Sequence, residues 1–381
     1  MSFPLSVAPP SSLGLDAPAL DRLQELITRH LAEGRYPGAQ IAMARDGKLA
    51  LFRTFGDARL DPARVPARED SLWLLYSNTK VITASAIWVL AEQGALRFTD
   101  RVAEHVPGFE ASGKGDITIV QLLSHQGGFP SADVPKAAWE DHELLRRSVS
   151  GFTLEWTPGS RVYYHGRAAH WVAAVLIEAL TKTDYRAFIR EQVIEPLGLG
   201  DELFVGLPDA RHERAADMHE PAASGGGQVK RAEENNPEFR RAGTPGGGGY
   251  ASARAMAAFY QMLAAGGTLN GKRLLSPRMV QYVTRSVTGD RVDGYMGMPM
   301  HRALGPHVRG TTESIRGLGT IASPRTFGHG GVGSSYCWAD PDSGVSFAYL
   351  TNSRIPDPWH SARLDVISNT AHGAILTDRR G

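Results

Sequence analysis

Along the 381-residue chain, β-type alternation of apolar and polar positions lies toward the two ends, and helix-type spacing fills the stretch between them. Leu20, Leu23, Leu26, Ile27 and Leu31 recur every three or four positions, which predicts an amphipathic opening helix over 15–32. In GAQIAMARDGKLALFRTFG two β-rich runs flank Asp46-Gly47, a pair suited to a two-residue hairpin turn. After a polar loop over 57–70, an apolar run ends at Tyr76, Ser77-Asn78-Thr79-Lys80 interrupts it, and a strongly hydrophobic helix stops at Gly94. Further helices are expected over 117–125, around 139–148, over 168–180, and from 185 to the stop at Pro196 and Gly198. Between 207 and 249 the composition turns to charge and glycine, with GGG at 225 and GGGG at 246. A surface excursion that returns into the site is expected there, because glycine lets backbone approach other groups closely.

Helices over 253–265 and 277–285 follow, with a turn-rich connection at 269–275. Two strand-like runs then flank Asp340-Pro341-Asp342-Ser343-Gly344, and the closing segment 358–376 is amphipathic, with Leu364, Ile367, Ala371 and Ile375 on one face. The expected class is α+β, with an antiparallel sheet built from both chain ends, terminal helices covering it, and a helical domain inserted. The expected division is 1–75 plus 250–381 for the α/β domain and 76–249 for the mainly helical one.

The 72–94 stretch carries the first chemical signal. Ser77 sits where a helix N-cap is expected, and a capping box would place Glu or Gln three residues on. Lys80 stands there instead. A cation in the first turn opposes the helix dipole, and apolar surroundings penalise its charge further, so both effects lower its pKa. One turn of helix puts positions i and i+3 on the same face, so a partly neutral amine can take the hydroxyl proton. This is the physical content of the S-x-x-K motif of serine enzymes.

Charge and composition narrow the classes. With 41 basic against 40 acidic residues the net charge is +1, which gives no electrostatic reason to expect nucleic acid or an anionic membrane as partner. The apolar residues, 42% of the chain, are spread in segments too short to span a bilayer. Cys337 is the single cysteine, so no internal disulfide is possible, and the start of the chain lacks the pattern of a secretory signal. A cytoplasmic location is the expectation. No metal-ligand spacing of the HExxH type occurs, so His125, His165 and His170 read as structural or surface groups. Tyr163 reads as packing, with a swap of roles with Tyr164 left open, Cys337 reads as a small buried residue, and Trp73, Trp139 and Trp338 read as core or rim packing, with lining an acyl pocket as the alternative. No G-x-S-x-G is present, which argues against an α/β-hydrolase nucleophile elbow, and no G-x-x-x-x-G-K-[ST] supports a nucleotide site.

Three separated pieces then line up: SNTK at 77–80 opening a helix, Tyr164 at the end of PGSRVYY before another helix, and His329-Gly330-Gly331-Val332 beginning a strand. LLSHQGG, EPLGL and PGGGGYAS fall between them. In this order and spacing the chain resembles the serine β-lactamase and penicillin-binding-protein superfamily, with its β-lactamase/transpeptidase-like fold. Within it the chain looks like the class C-type branch that includes the family VIII carboxylesterases. The resemblance implies Ser77 as the acylated nucleophile, Lys80 as its activating amine, and Tyr164 as the residue assisting proton movement. It also implies an oxyanion hole from the backbone N–H groups of Ser77 and Val332, with His329, Gly330 and Gly331 as the substrate-binding third motif. Neither metal nor other cofactor is implied. Whether Lys80 or Tyr164 takes the proton stays open, since a coupled pair can titrate as a unit.

Two departures bear on substrate. The tyrosine motif of β-lactamases is Tyr-x-Asn, whereas Tyr164-His165-Gly166 lacks the amide, and His329 replaces the lysine that faces the β-lactam carboxylate. A neutral imidazole attracts a carboxylate less than an ammonium does. The expected function is therefore hydrolysis of small-molecule esters with small or medium acyl groups, through an acyl-enzyme on Ser77, with His329 adding a titration near neutral pH. β-Lactam or D-amino acid peptide hydrolysis, acyl transfer, and a non-catalytic ligand-binding role are the rival readings. Oligomeric state is left open.

Overall fold

Asp46 and Gly47 both adopt positive φ, 53° and 71°, the backbone of a hairpin turn whose twist matches the strands it joins. That hairpin is the seed of the main sheet. The computed structural model describes residues 3–223, 225–313 and 316–379. The elements that position the site are strand β1 (Ser6–Val7), helix α1 (Ala17–Ala32), strands β2 (Gly38–Arg45) and β3 (Lys48–Arg59), and helices α2 (Thr79–Glu92), α3 (Ala168–Thr181) and α4 (Ala253–Ala264). Strands β4 (His307–Val308), β5 (Phe327–Gly330), β6 (Tyr336–Asp340) and β7 (Val345–Thr351) and helix α5 (Trp359–His372) complete them.

The sheet runs in the order β1-β3-β2-β7-β6-β5-β4, with Val65–Pro66 paired alongside β3. Both chain ends supply its strands, as the alternation predicts. It is antiparallel except at one edge, where β1 runs parallel to β3. The central register pairs Ala42 with Ala348 and Met43 with Phe347. Because strand side chains alternate, Ile41 and Met43 join Phe347 and Tyr349 under α1 and α5, while Ala42, Ala44 and Ala348 face α4. Small residues on that face let α4 lie close to the sheet, and the Ser346 hydroxyl donates to the Ala257 carbonyl of α4 at 2.8 Å.

The core beneath α4 does not stop at the sheet. It continues through Val81, Ile87 and Trp88 of α2 into Val172 and Leu176 of α3 as one buried cluster. A three-stranded sheet joins Trp73–Leu74 and Leu203–Val205 to Gly249–Ala251, so the segment before α2 is pinned to the glycine run at 246. The 207–249 excursion carries elements its composition did not suggest: a 3-10 turn (Asp209–Arg214), a hairpin (His219–Pro221 with Gln228–Lys230) and a short helix (Pro237–Ala242). Buried polar pairs organise it, with Asp217 accepting from Arg240 at 2.8 Å and lying 2.6 Å from Lys230. Among the described residues no helix is long and apolar enough to cross a membrane.

Candidate active site

Ser77 does not cap α2. It occupies a 3-10 turn, Tyr76–Asn78, and the helix starts at Thr79, so Asn78 takes the position expected for Ser77. The physical reason lies one residue earlier. Tyr76 has φ 44°, a left-handed conformation costing a non-glycine residue about 1–3 kcal/mol. Its ring is buried and its phenol donates to Glu234 at 2.8 Å, which holds the kink in place. The Ser77 hydroxyl is thereby left free of capping duty on the wall of a cavity of about 720 Å³. With its oxygen toward Ser335 Oγ (2.9 Å) and the Gly331 N–H (3.2 Å), and its nitrogen toward the His329 carbonyl, the Asn78 amide ties this turn to the end of β5.

Lys80 is fully buried. Its Nζ lies 3.1 Å from Ser77 Oγ, 2.7 Å from the Gly166 carbonyl and 2.6 Å from the Gly246 carbonyl. A neutral amine has two N–H donors and one lone pair. Two carbonyls take the donors, and the lone pair is left for the serine hydroxyl. Burial, reinforced by the like charges of Arg302 and Arg167, brings this amine down from its ordinary value to about 7. The glycine run is what makes the contact possible: a Cβ on Gly246 would stand 3.2 Å from Nζ, and one on Gly249 would stand 2.7 Å from Thr79 Oγ1.

Tyr164 lines the same cavity, and Lys80 Nζ lies 5.2 Å from the centre of its ring. Burial outweighs the neighbouring cations here. It carries the phenol up to about 12, against the opposing pull of the Ser77 hydroxyl and the Arg302 guanidinium. At neutral pH Tyr164 therefore keeps its proton while Lys80 is close to losing its own.

His329 is the penultimate residue of strand β5 rather than the beginning of a strand, and it pairs with Cys337 of β6. Its Nδ1–H donates to the Gly330 carbonyl at 2.8 Å. Burial drives its pKa well below the usual imidazole range, helped by His307, Lys80 and Arg302, so His329 does not titrate near neutral pH as expected. The two glycines after it are sterically required. A Cβ on Gly330 would lie 2.7 Å from the Tyr336 ring, and one on Gly331 would lie 2.6 Å from the Leu75 carbonyl just ahead of the Ser77 turn. Val332 follows, 45% exposed and lining the cavity with Ser77.

The three histidines near Tyr164 are buried. His165 Nδ1–H donates to the Tyr163 carbonyl at 2.7 Å and its Nε2 accepts from Phe129 N–H at 3.2 Å, while His125 Nδ1 accepts from His165 N–H at 3.1 Å. These bonds fix the backbone around Tyr164. His170 packs behind Lys80, and burial lowers the pKa of all three imidazoles. Among the described residues no group of His, Cys, Asp or Glu is arranged to hold a metal ion. Tyr163 packs against the rings of Trp156 and Tyr295. Trp73, Trp139, Trp338 and Cys337 are core residues and do not line the cavity.

Two site residues escaped the sequence reading. Asp293 and Arg302 form a fully buried ion pair, with Nε and Nη2 donating to one carboxylate oxygen at 2.9 and 2.7 Å. The other oxygen accepts from the backbone N–H of Tyr164 at 3.1 Å and of Tyr295 at 3.0 Å. The guanidinium carbon lies 4.8 Å from the centre of the Tyr164 ring. No motif spacing links 293, 302 and 164, so nothing in the sequence marks them.

The family described as "Beta-lactamase" matches residues 23–371. The chain is 30% identical over 357 residues to "Esterase/beta-lactamase LipL" of Mycobacterium tuberculosis strain ATCC 25618 / H37Rv, covering 85% of this chain and 79% of that one. A "Putative D-alanyl-D-alanine carboxypeptidase" of Escherichia coli K12 is 24% identical, covering 93% of this chain and 87% of that one. Among solved structures, a family VIII carboxylesterase superposes with a TM-score of 0.80 at 28% identity, covering 93% and 98% of the two chains. A penicillin-binding protein homologue from Caulobacter crescentus superposes with a TM-score of 0.79 at 30% identity, covering 95% and 99%.

Proposed function

The chain belongs to the beta-lactamase family, as a serine beta-lactamase-like hydrolase, and we propose that it is a carboxylesterase acting through an acyl-enzyme on Ser77. The observation that carries this reading is the amine of Lys80, fully buried, 3.1 Å from Ser77 Oγ, with both of its donors engaged by backbone carbonyls. A serine hydroxyl is a weak nucleophile until a base within hydrogen-bond reach accepts its proton. Lys80, brought to about 7, is that base, and Tyr164, held near 12, serves as donor.

In the proposed sequence Ser77 Oγ attacks the ester carbonyl as its proton passes to Lys80. The N–H groups of Ser77 and Val332 hold the developing oxyanion, a donor of this kind being worth roughly 3 kcal/mol of barrier. The alkoxide leaves with a proton supplied through Tyr164. Water then attacks the acyl-enzyme with Lys80 again as base, and the acid departs. A neutral His329, where the β-lactamases it resembles carry lysine, supports an ester over a β-lactam, because an uncharged imidazole attracts a carboxylate less than an ammonium does. The relative named both esterase and beta-lactamase supports β-lactam hydrolysis as the second reading. A panel of p-nitrophenyl esters and a chromogenic cephalosporin, run on the parent and on Ser77→Ala, separates the two. Ester turnover exceeding cephalosporin turnover, and lost in Ser77→Ala, is expected; the reverse ranking overturns the esterase reading.

A further inference from the structure

We propose that Arg302 is a positioning residue for the Lys80–Tyr164 pair: locked by Asp293, its guanidinium holds the phenol ring at the Ser77 site and sets a fixed positive charge against the ring that the amine also contacts. The inference rests on the reading of Lys80 as base and names what prepares it. Six charged or titratable groups act on Lys80 or sit against it: Tyr164, His125, His170, His329, Arg167 and Arg302. The phenol and the three imidazoles are neutral near pH 7, which leaves two cations. The Arg167 side chain is 56% exposed and paired with Asp133 at 2.6 Å, so water and counter-charge screen it. The Arg302 side chain is 3% exposed, and its field passes through low-dielectric protein.

The charge order of the pair matters. Arg302 lies between Asp293 and the Tyr164 ring face, so of the two charges the guanidinium acts on Lys80 more strongly and Asp293 offsets part of its field. Asp293 faces the other way and stitches backbone. Its carboxylate accepts from Tyr164 and Tyr295 N–H groups, and Gly294 N–H donates to the Val162 carbonyl at 2.9 Å. The segment that carries the phenol is thus fastened to the loop that ends in the guanidinium.

The test is the pH dependence of kcat/KM on a p-nitrophenyl ester, whose acid limb reports the base of the free enzyme. Arg302→Met removes a like charge from beside Lys80, so the limb should move to higher pH by about one unit or more, giving a rate loss about tenfold greater at pH 6 than at pH 9. Asp293→Asn leaves the guanidinium uncompensated and should move the limb to lower pH. Arg302→Lys keeps the charge and should keep the limb in place. A purely structural role would lower the amplitude of both variants without moving their limbs apart. Should Arg302→Met not fold with Asp293 left unpaired, the double variant Asp293→Asn/Arg302→Met removes both charges and should still raise the limb. Limbs that stay together overturn the inference. A parent that lacks ester turnover, or whose turnover survives Ser77→Ala, overturns the underlying assignment of Ser77 and Lys80 instead.

Discussion

Lys80 Nζ stands 3.1 Å from Ser77 Oγ, and no carboxylate among the described residues pairs with it. An amine so placed is easier to keep neutral than charged, and the consequence reaches beyond catalysis. In the fold it releases its proton at about 7, against an ordinary value of 10.5. Between those values the unfolded chain binds more protons than the folded one, so stability rises with pH across that window. Below about 7 both states are charged and the deficit is constant. Lys80→Met removes this titration. The unfolding free energy of Lys80→Met minus that of the parent should be most positive below pH 7 and fall by about 1.4 kcal/mol per pH unit toward pH 10. Urea titrations at a series of pH values measure it, and a flat difference would place the Lys80 pKa at its ordinary value.

Tyr164→Phe keeps the ring that Lys80 and Arg302 contact and deletes the hydroxyl alone. Thermal stability should stay near that of the parent, while acylation slows by about 10²–10⁴-fold, the usual worth of a positioned proton donor. Single-turnover release of p-nitrophenol reads it. Acylation at the parental rate would remove Tyr164 from the proton path.

His329 gives Nδ1–H to the Gly330 carbonyl and stays neutral across the working range. His329→Gln should therefore leave the acid limb of kcat/KM where it is. His329→Lys adds a second buried cation acting on Lys80 and should move the limb to lower pH. A limb displaced by the glutamine variant would make His329 a titrating member of the site.

Gly246→Ala introduces a methyl 3.2 Å from Lys80 Nζ and 3.4 Å from the Gly166 carbonyl, so the buried amine must shift by a few tenths of an ångström and its three contacts loosen. A fall in kcat of about tenfold is expected, less than the roughly 100-fold that a 1 Å displacement of a catalytic group costs. The stability loss should be about 1–3 kcal/mol, as for overpacking elsewhere. Gly247→Ala is the control: its nearest atoms lie 3.8–4.0 Å away, ordinary contact, and kcat should hold.

Local signals were legible and distant ones were not. The Asp46-Gly47 turn, the spacing of α1 and the hydrophobic run of α2 each follow from residues within a few positions of one another, and all three form as expected. Ser77 and Lys80 share one turn of chain, so their meeting could be read directly. The cap assignment failed because Tyr76 adopts a left-handed backbone, held by a bond to Glu234 that no local pattern announces. Two residues brought together from 129 positions apart, Tyr164 and Asp293, leave no trace in spacing or composition, and Arg302 is visible only once that contact exists. The protonation state of the Tyr164 phenol is open in the sequence for a related reason. Cations can be seen in a sequence, but the depth of burial that outweighs them cannot.

The two carbonyls that receive the Lys80 amine come from Gly166 and Gly246, which lie 86 and 166 residues along the chain from it. The environment of the lysine is therefore expected to assemble late in refolding, because contacts between distant residues close slowly. Until both remote loops have docked, the side chain remains a solvated ammonium with an ordinary proton affinity, and the serine beside it stays inert. Recovery of covalent labelling at Ser77 after dilution from denaturant should lag behind recovery of helical signal, timing the arrival of the slower of those two loops.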